Sequence, residues 1–160
     1  MSISLLNELY PEPRFFASNR IYCNENFKRN TQNKIICDEI VSFDCGLFRM
    51  SEIKSHNLTV PSECQQILAV IVRPQPEPAT YLENDGFEFC GYDLVETATA
   101  ISAITNCGAM FNSVRYTDLT NFGLIPTYKD AVCTQLALVE EDPDEPHAYC
   151  DIYEIWRKLA

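Results

Sequence analysis

The longest unbroken apolar run in the chain is Ile67-Leu68-Ala69-Val70-Ile71-Val72, set between Gln66 and Arg73. It is β-branched and too short for a typical helix, which predicts a central strand covered on both faces. Phe87 to Val95 and Thr99 to Thr105 predict two further strands. The spacer Glu96-Thr97-Ala98 suggests a hairpin between them, although it lacks an Asn-Gly or Asp-Gly turn. Lys34 to Phe43 predicts another strand, with Ile35, Cys37, Val41 and Phe43 on one face, interrupted by Glu39, and Ile36 and Ile40 on the other. Arg20 to Cys23 suggests a short strand, and the polar stretch Asn24 to Asn33 a loop. Near the C-terminus, Ala148, Cys150, Ile152 and Trp156 alternate with Tyr149, Asp151, Tyr153 and Ile155, so a last strand is expected there.

Helical periodicity is weaker. Leu5, Leu6 and Leu9 predict a short helix capped by Ser2 or Ser4 and stopped before Pro11-Glu12-Pro13. Ser51 to His56 suggests one turn, and Thr117 to Asn121 a short helix closed by Gly123. The clearest helix is Thr127 to Glu141. Thr127 and Asp130 form a capping-box pattern after Pro126, and Tyr128, Val132, Leu136 and Val139 make one apolar stripe. Pro143 and Pro146 end it. Pro74-Gln75-Pro76-Glu77-Pro78 forces an extended connection, expected as a loop within one domain. Together these elements predict a single α+β domain over residues 1–160, with a mixed or antiparallel sheet of about five strands and a few flanking helices.

Charge changes the picture more than composition does. Residues 1–80 hold eight Lys/Arg against nine Asp/Glu, a net of −1, and residues 81–160 hold four against fourteen, a net of −10. Such a field repels nucleic-acid backbones and anionic membrane surfaces and suits a basic protein partner. Acidity also serves solubility alone. The N-terminus lacks the basic and apolar regions of a signal peptide, and no apolar run approaches the roughly 20 residues of a membrane span, so a soluble cytoplasmic protein is expected.

The eight cysteines contain no CxxC pair and mostly lie within apolar stretches, so reduced core residues are expected, without metal. His147 and Cys150 form one HxxC pair, but a structural zinc site needs two close pairs. The best enzymatic candidate is Cys107 as nucleophile with His147 as base and Asp93 or Asp151 as the orienting carboxylate. No nucleophile signature surrounds Cys107, and a buried structural thiol is the commoner outcome. Phosphate-loop, dinucleotide, serine-hydrolase and metalloprotease motifs are absent from the sequence, so no cofactor is expected.

Two acidic groups stand out. Glu140, Glu141, Asp142, Asp144 and Glu145 crowd the end of the predicted helix, where negative charge opposes the macrodipole at about 0.3–1 kcal/mol each. Asp85, Glu88, Asp93 and Glu96 fall on the predicted hairpin as a second patch. Tyr149 and Tyr153 are candidate aromatic anchors beside them.

The blocks Gly86-Phe87-Glu88-Phe89-Cys90-Gly91-Tyr92-Asp93-Leu94-Val95, Ile101-Ser102-Ala103-Ile104-Thr105-Asn106-Cys107-Gly108 and Glu145-Pro146-His147-Ala148-Tyr149-Cys150 resemble small uncharacterised bacterial proteins. Through these the chain is similar to the immunity proteins of polymorphic and contact-dependent toxin systems. The resemblance spans residues 81–156, rests on no catalytic motif and implies no functional residues. It implies a toxin inhibitor, and the acidity of residues 81–160 points to a basic toxin. A small Cys107/His147 enzyme and a scaffold or assembly subunit are the alternatives.

Overall fold

The computed structural model describes residues 14–18, 27–29, 35–37, 66–104, 112–113 and 118–159, the first three segments and Gln66 through their backbone. Four strands form an antiparallel sheet in the order β1-β4-β6-β5: β1 (Arg14–Ser18), β4 (Gln66–Val72), β6 (Cys150–Lys158) and β5 (Phe87–Glu96). A separate antiparallel pair joins β2 (Phe27–Arg29) to β3 (Ile35–Cys37). One α-helix, α1 (Tyr128–Glu141), and two short 3-10 turns, Thr80–Asp85 and Pro146–Ala148, complete the described elements. The fold is therefore α+β with an antiparallel sheet. No helix among the described residues is long and apolar enough to cross a membrane.

The interior position of β4 explains its uninterrupted apolar run. Leu68 and Val70 pack on one face of the sheet with Ile155, Leu124 and Cys90. Ala69 and Ile71 pack on the other with Trp156, Leu82 and Phe87. β6 lies between β4 and β5, with Val70 opposite Ile155 and Leu94 opposite Ile152, so its alternation is read by two different layers. Ile152 and Cys150 meet Ala131 and Leu138 of α1, while Ile155 faces the Leu124 side. Burying one such Leu or Ile contributes about 1.5–3 kcal/mol.

The outer edge of β5 is partly covered. Tyr92 exchanges backbone hydrogen bonds with Ile125, both 2.8 Å, and Ala103 N donates to Leu94 O at 2.7 Å. The close approach at Ile125 requires Gly91, which sits at the strand's irregularity with φ +134°. A Cβ there would lie 2.8 Å from both the Ile125 carbonyl oxygen and Leu124 Cβ.

Several sequence expectations need correction. Over its described part, 99–104, the predicted strand Thr99–Thr105 shrinks to a single bridge, Val95 to Ser102, because the chain turns through Ala100 at φ +55° and then carries Ala103 and Ile104 into the core beneath α1. The predicted helix Thr117–Asn121 is a turn where it is described, from 118 onward. The Thr120 hydroxyl accepts from Phe122 N and Leu124 N and donates to Cys90 O, competing with helical bonding. Phe27–Arg29, within the expected Asn24–Asn33 loop, is a strand because Ile35–Cys37 supplies its ladder. β1 was not anticipated at all. The α1 stripe is rotated: Ala131 and Leu138 are fully buried, Tyr128, Val132 and Val139 flank them, and Leu136 is 65% exposed. Cys133 is exposed rather than part of the core. The readings at Leu5–Leu9, Arg20–Cys23 and Ser51–His56 lie outside the described residues, as does the Lys34–Phe43 strand beyond Ile35–Cys37.

Candidate functional site

Thr127 starts α1 by accepting a hydrogen bond from Asp130 N at 3.1 Å, and its hydroxyl donates to Asp130 Oδ2 at 2.6 Å. The expected capping residues therefore meet, with Asp130 placing a negative charge in the first turn where the dipole favours it. The last turn contains no basic residue, and Asp142 N closes the helix onto Leu138 O at 3.2 Å. Glu140, Glu141, Asp142 and Asp144 are exposed at this end, and Glu145 is half-buried.

These five acids divide into two kinds. Glu141 accepts from Asn112 N at 2.8 Å, Asn112 Nδ2 at 2.9 Å, Ser113 N at 3.1 Å and Ser113 Oγ at 2.7 Å. Partial burial pushes its carboxyl up, but those four donors outweigh it and hold the group below the usual Glu range. Glu145 caps the Pro146–Ala148 turn, accepting from His147 N at 3.2 Å. Both residues have structural work. No cation among the described residues pairs with Glu140, Asp142 or Asp144.

The second acidic patch does not form. Only Asp85 is exposed. Glu88 is half-buried and binds the Arg157 guanidinium, Nε to Oε1 at 2.6 Å, with Nη2 on the same oxygen. Asp93 is fully buried and accepts from Ser102 Oγ at 2.8 Å. Glu96 is buried as well, and its register partner Cys150 places it on the sheet face opposite Asp93, whose partner is Tyr153. Asp85 ends the Thr80–Asp85 turn, and a strand sends alternate residues to opposite faces, so the three acids along β5 do not join it in one surface.

Of the two tyrosines, Tyr149 is 49% exposed and its hydroxyl donates to Pro143 O at 2.9 Å, tying it to the acidic loop. Tyr153 is half-buried against the Leu68–Val70 layer, so it is no surface anchor.

His147 has an unforeseen partner. Its Nδ1 lies 2.8 Å from Glu96 Oε2, and its Nε2 lies 3.8 Å from Glu145 Oε1. The Thr99 hydroxyl donates to the same Glu96 oxygen at 2.5 Å. The hydrogen bond that the ring donates to Glu96, with the charges of Glu96 and Glu145, raises the imidazole pKa against an opposing effect of burial. The carboxylate beside His147 is thus Glu96, where Asp93 or Asp151 was expected. Asp151 instead forms a two-point pair with Arg73, 2.9 and 3.2 Å. Cys107 lies outside the described residues. Cys150 donates to His147 O at 3.5 Å rather than sharing a ligand with the ring, so the HxxC pair is a capping contact. Burial pushes the Cys90 and Cys150 thiols up to about 12, the reverse of an activated nucleophile. No metal-holding cluster of His, Cys, Asp or Glu occurs among the described residues.

A groove of about 410 Å³ runs beside α1, lined in part by Asp118, Asp130, Cys133 and Thr134. Sequence reasoning missed this groove, the Asn112–Ser113 anchor and the Glu96–His147 pair. The capping role of Glu145 was missed as well, and an acidic residue directly before Pro146, at the first position of a turn, is the signal that could have found it. Comparison with family models, curated proteins and solved structures finds no match.

Proposed function

We propose that this chain is a protein-binding inhibitor, an immunity protein that occludes the basic active site of a bacterial toxin in the cytoplasm. One observation carries the reading: three exposed acids, Glu140, Asp142 and Asp144, stand at the negative end of α1 without a cation among the described residues. That arrangement works against the helix dipole by about 0.3–1 kcal/mol per charge, a cost that folding alone does not explain. A toxin that cleaves nucleic acid carries a positive cleft, and these acids supply the charge its substrate would otherwise bring. Tyr149, exposed beside them, is the aromatic anchor of the proposed surface, and Glu141 and Glu145 hold its frame. The reading takes residues 1–160 as one domain without nucleic-acid or membrane partners.

The test starts from a toxin-domain protein encoded next to this chain's gene. Purified together, the two are expected to form a complex, with toxin activity lost at one equivalent. Full toxin activity in the presence of excess folded chain would overturn the proposal.

A second reading has one observation in its favour. The His147–Glu96 pair resembles the base and orienting carboxylate of a Cys–His enzyme with Cys107 as nucleophile. Against it, both ring nitrogens face carboxylates, which favours the doubly protonated cation rather than a free base. Rapid alkylation of Cys107 in the folded protein would support the enzyme, and labelling limited by unfolding would dismiss it.

A further inference from the structure

We propose that His147 and Glu96 form a proton-controlled clamp that docks the 142–149 segment, and with it the acidic end of α1, onto the end of β5. The clamp stands without the inhibitor reading; its consequence for partner binding rests on that reading.

The geometry is that of an internal ion pair with one door to solvent. The Glu96 side chain is fully buried while His147 is about one-third exposed, so protons reach the imidazole and not the carboxylate. Glu96 ends β5, and its backbone is fixed by Glu96 N to Ile101 O at 2.8 Å and by Ala100 N to Glu96 O at 2.9 Å. A second tie crosses the same junction, Thr97 N to Tyr149 O at 3.0 Å. Beyond it, Tyr149 holds Pro143 through its hydroxyl, and Glu145 caps the turn that carries His147. The route from Glu96 to the acidic loop is therefore a short chain of named bonds.

The charged groups acting on the ring are Glu96 from β5 and Glu145 from the turn's cap. The 97–100 turn contributes the neutral Thr99 hydroxyl. β6 contributes the Cys150 thiol, pushed up to about 12 and neutral through the relevant range. Asp93 and Asp151 act on that thiol, and α1 contributes Gln135, which donates to Cys150 O at 2.6 Å. An imidazolium donates to Glu96 at 2.8 Å and attracts Glu145 across 3.8 Å, whereas a neutral imidazole loses the charge attraction to both. Because the folded pKa is raised, the clamp is fully closed below the ordinary His value and loosens as pH rises through the raised one.

The experiment is an NMR titration of the imidazole combined with amide exchange, on wild type and on His147→Gln and Glu96→Gln. No partner is present, so the outcome is independent of the inhibitor reading. His147 is expected to titrate above 6.5 in the wild type and to move back toward it in Glu96→Gln. Protection at Thr97, Ala148 and Tyr149, corrected for intrinsic exchange, is expected to fall about tenfold per unit of pKa elevation as pH passes the measured value. The step is expected to vanish in His147→Gln. If that variant does not fold, the wild-type and Glu96→Gln titrations decide the matter. An unshifted His147, a pH-independent protection pattern, or the same step in His147→Gln would overturn the clamp.

Discussion

The division of the helix-end acids makes a prediction of opposite signs. Glu140→Gln removes an exposed charge from the last turn of α1, a turn that holds no basic residue. Relieving the dipole clash is expected to stabilise the fold by about 0.3–1 kcal/mol. Glu141→Gln removes the same kind of charge but also half of a four-donor acceptor. Oε1 receives Asn112 N and Nδ2, and Oε2 receives Ser113 N and Oγ. A glutamine must turn its amide group toward one of these sets, so two donors lose their acceptor. At about 0.5–1.5 kcal/mol each, discounted for exposure and offset by the dipole relief, the net loss is about 1–2 kcal/mol. Urea denaturation at pH 7 in moderate salt measures both variants against the wild type. The Glu141 pKa is lowered in the folded state, so its contribution is present above the unfolded value and lost as pH falls through the folded one. Glu141→Gln should therefore lose its deficit in acid, while Glu140→Gln should keep its gain only where Glu140 is ionised. Equal effects of the two substitutions at pH 7 would refute the division.

Four other outcomes follow from the structure. Gly91→Ala must place a Cβ 2.8 Å from the Ile125 carbonyl at φ +134°, and thermal unfolding is expected to show a loss of about 2–4 kcal/mol. The Glu154 carboxylate, buried on the sheet, accepts from Ala79 N at 2.7 Å and Trp156 Nε1 at 2.6 Å, so Glu154→Ala strands two donors and should cost about 2–5 kcal/mol in urea, with Glu154→Gln far milder. Because burial raises the Glu154 pKa, the wild type should also lose stability as pH rises from the ordinary carboxyl range through that raised value, a step absent in Glu154→Gln. Among the described cysteines, timed alkylation followed by peptide mapping should label the exposed Cys133 first, with Cys90 and Cys150 reacting only on unfolding.

The elements visible in the sequence were those whose burial imposes a simple period. β4 is covered on both faces and reads as unbroken apolar residues, and β6 alternates because it feeds two layers. The α1 boundaries were legible from Thr127, Asp130 and the prolines, but its buried face was not. Leu136 fits the apolar stripe by spacing, yet the small Ala131 sits under the helix where the sheet comes close. β2 carries Lys28 and Arg29 in a polar stretch, and only its pairing with β3 reveals it as a strand. The acidic helix end was legible because five acids adjoin in sequence. The β5 acids misled because nearness along a strand is not nearness on a surface. Glu96 and His147 lie fifty-one residues apart and share no motif, so only the fold brings them together.

The most direct test of the inhibitor reading is the association rate with the toxin-domain protein, measured by stopped flow from low salt to 0.15 M for the wild type and for Glu140→Gln/Asp142→Asn/Asp144→Asn. Steered complexes associate toward 10⁸ M⁻¹s⁻¹ or faster at low salt, against roughly 10⁵–10⁶ without steering. The triple variant is expected to associate about tenfold more slowly at low salt, with a flatter salt dependence and a dissociation rate changed much less. Association as fast and as salt-dependent as the wild type would contradict the account, leaving the acidic end of α1 without a role in binding.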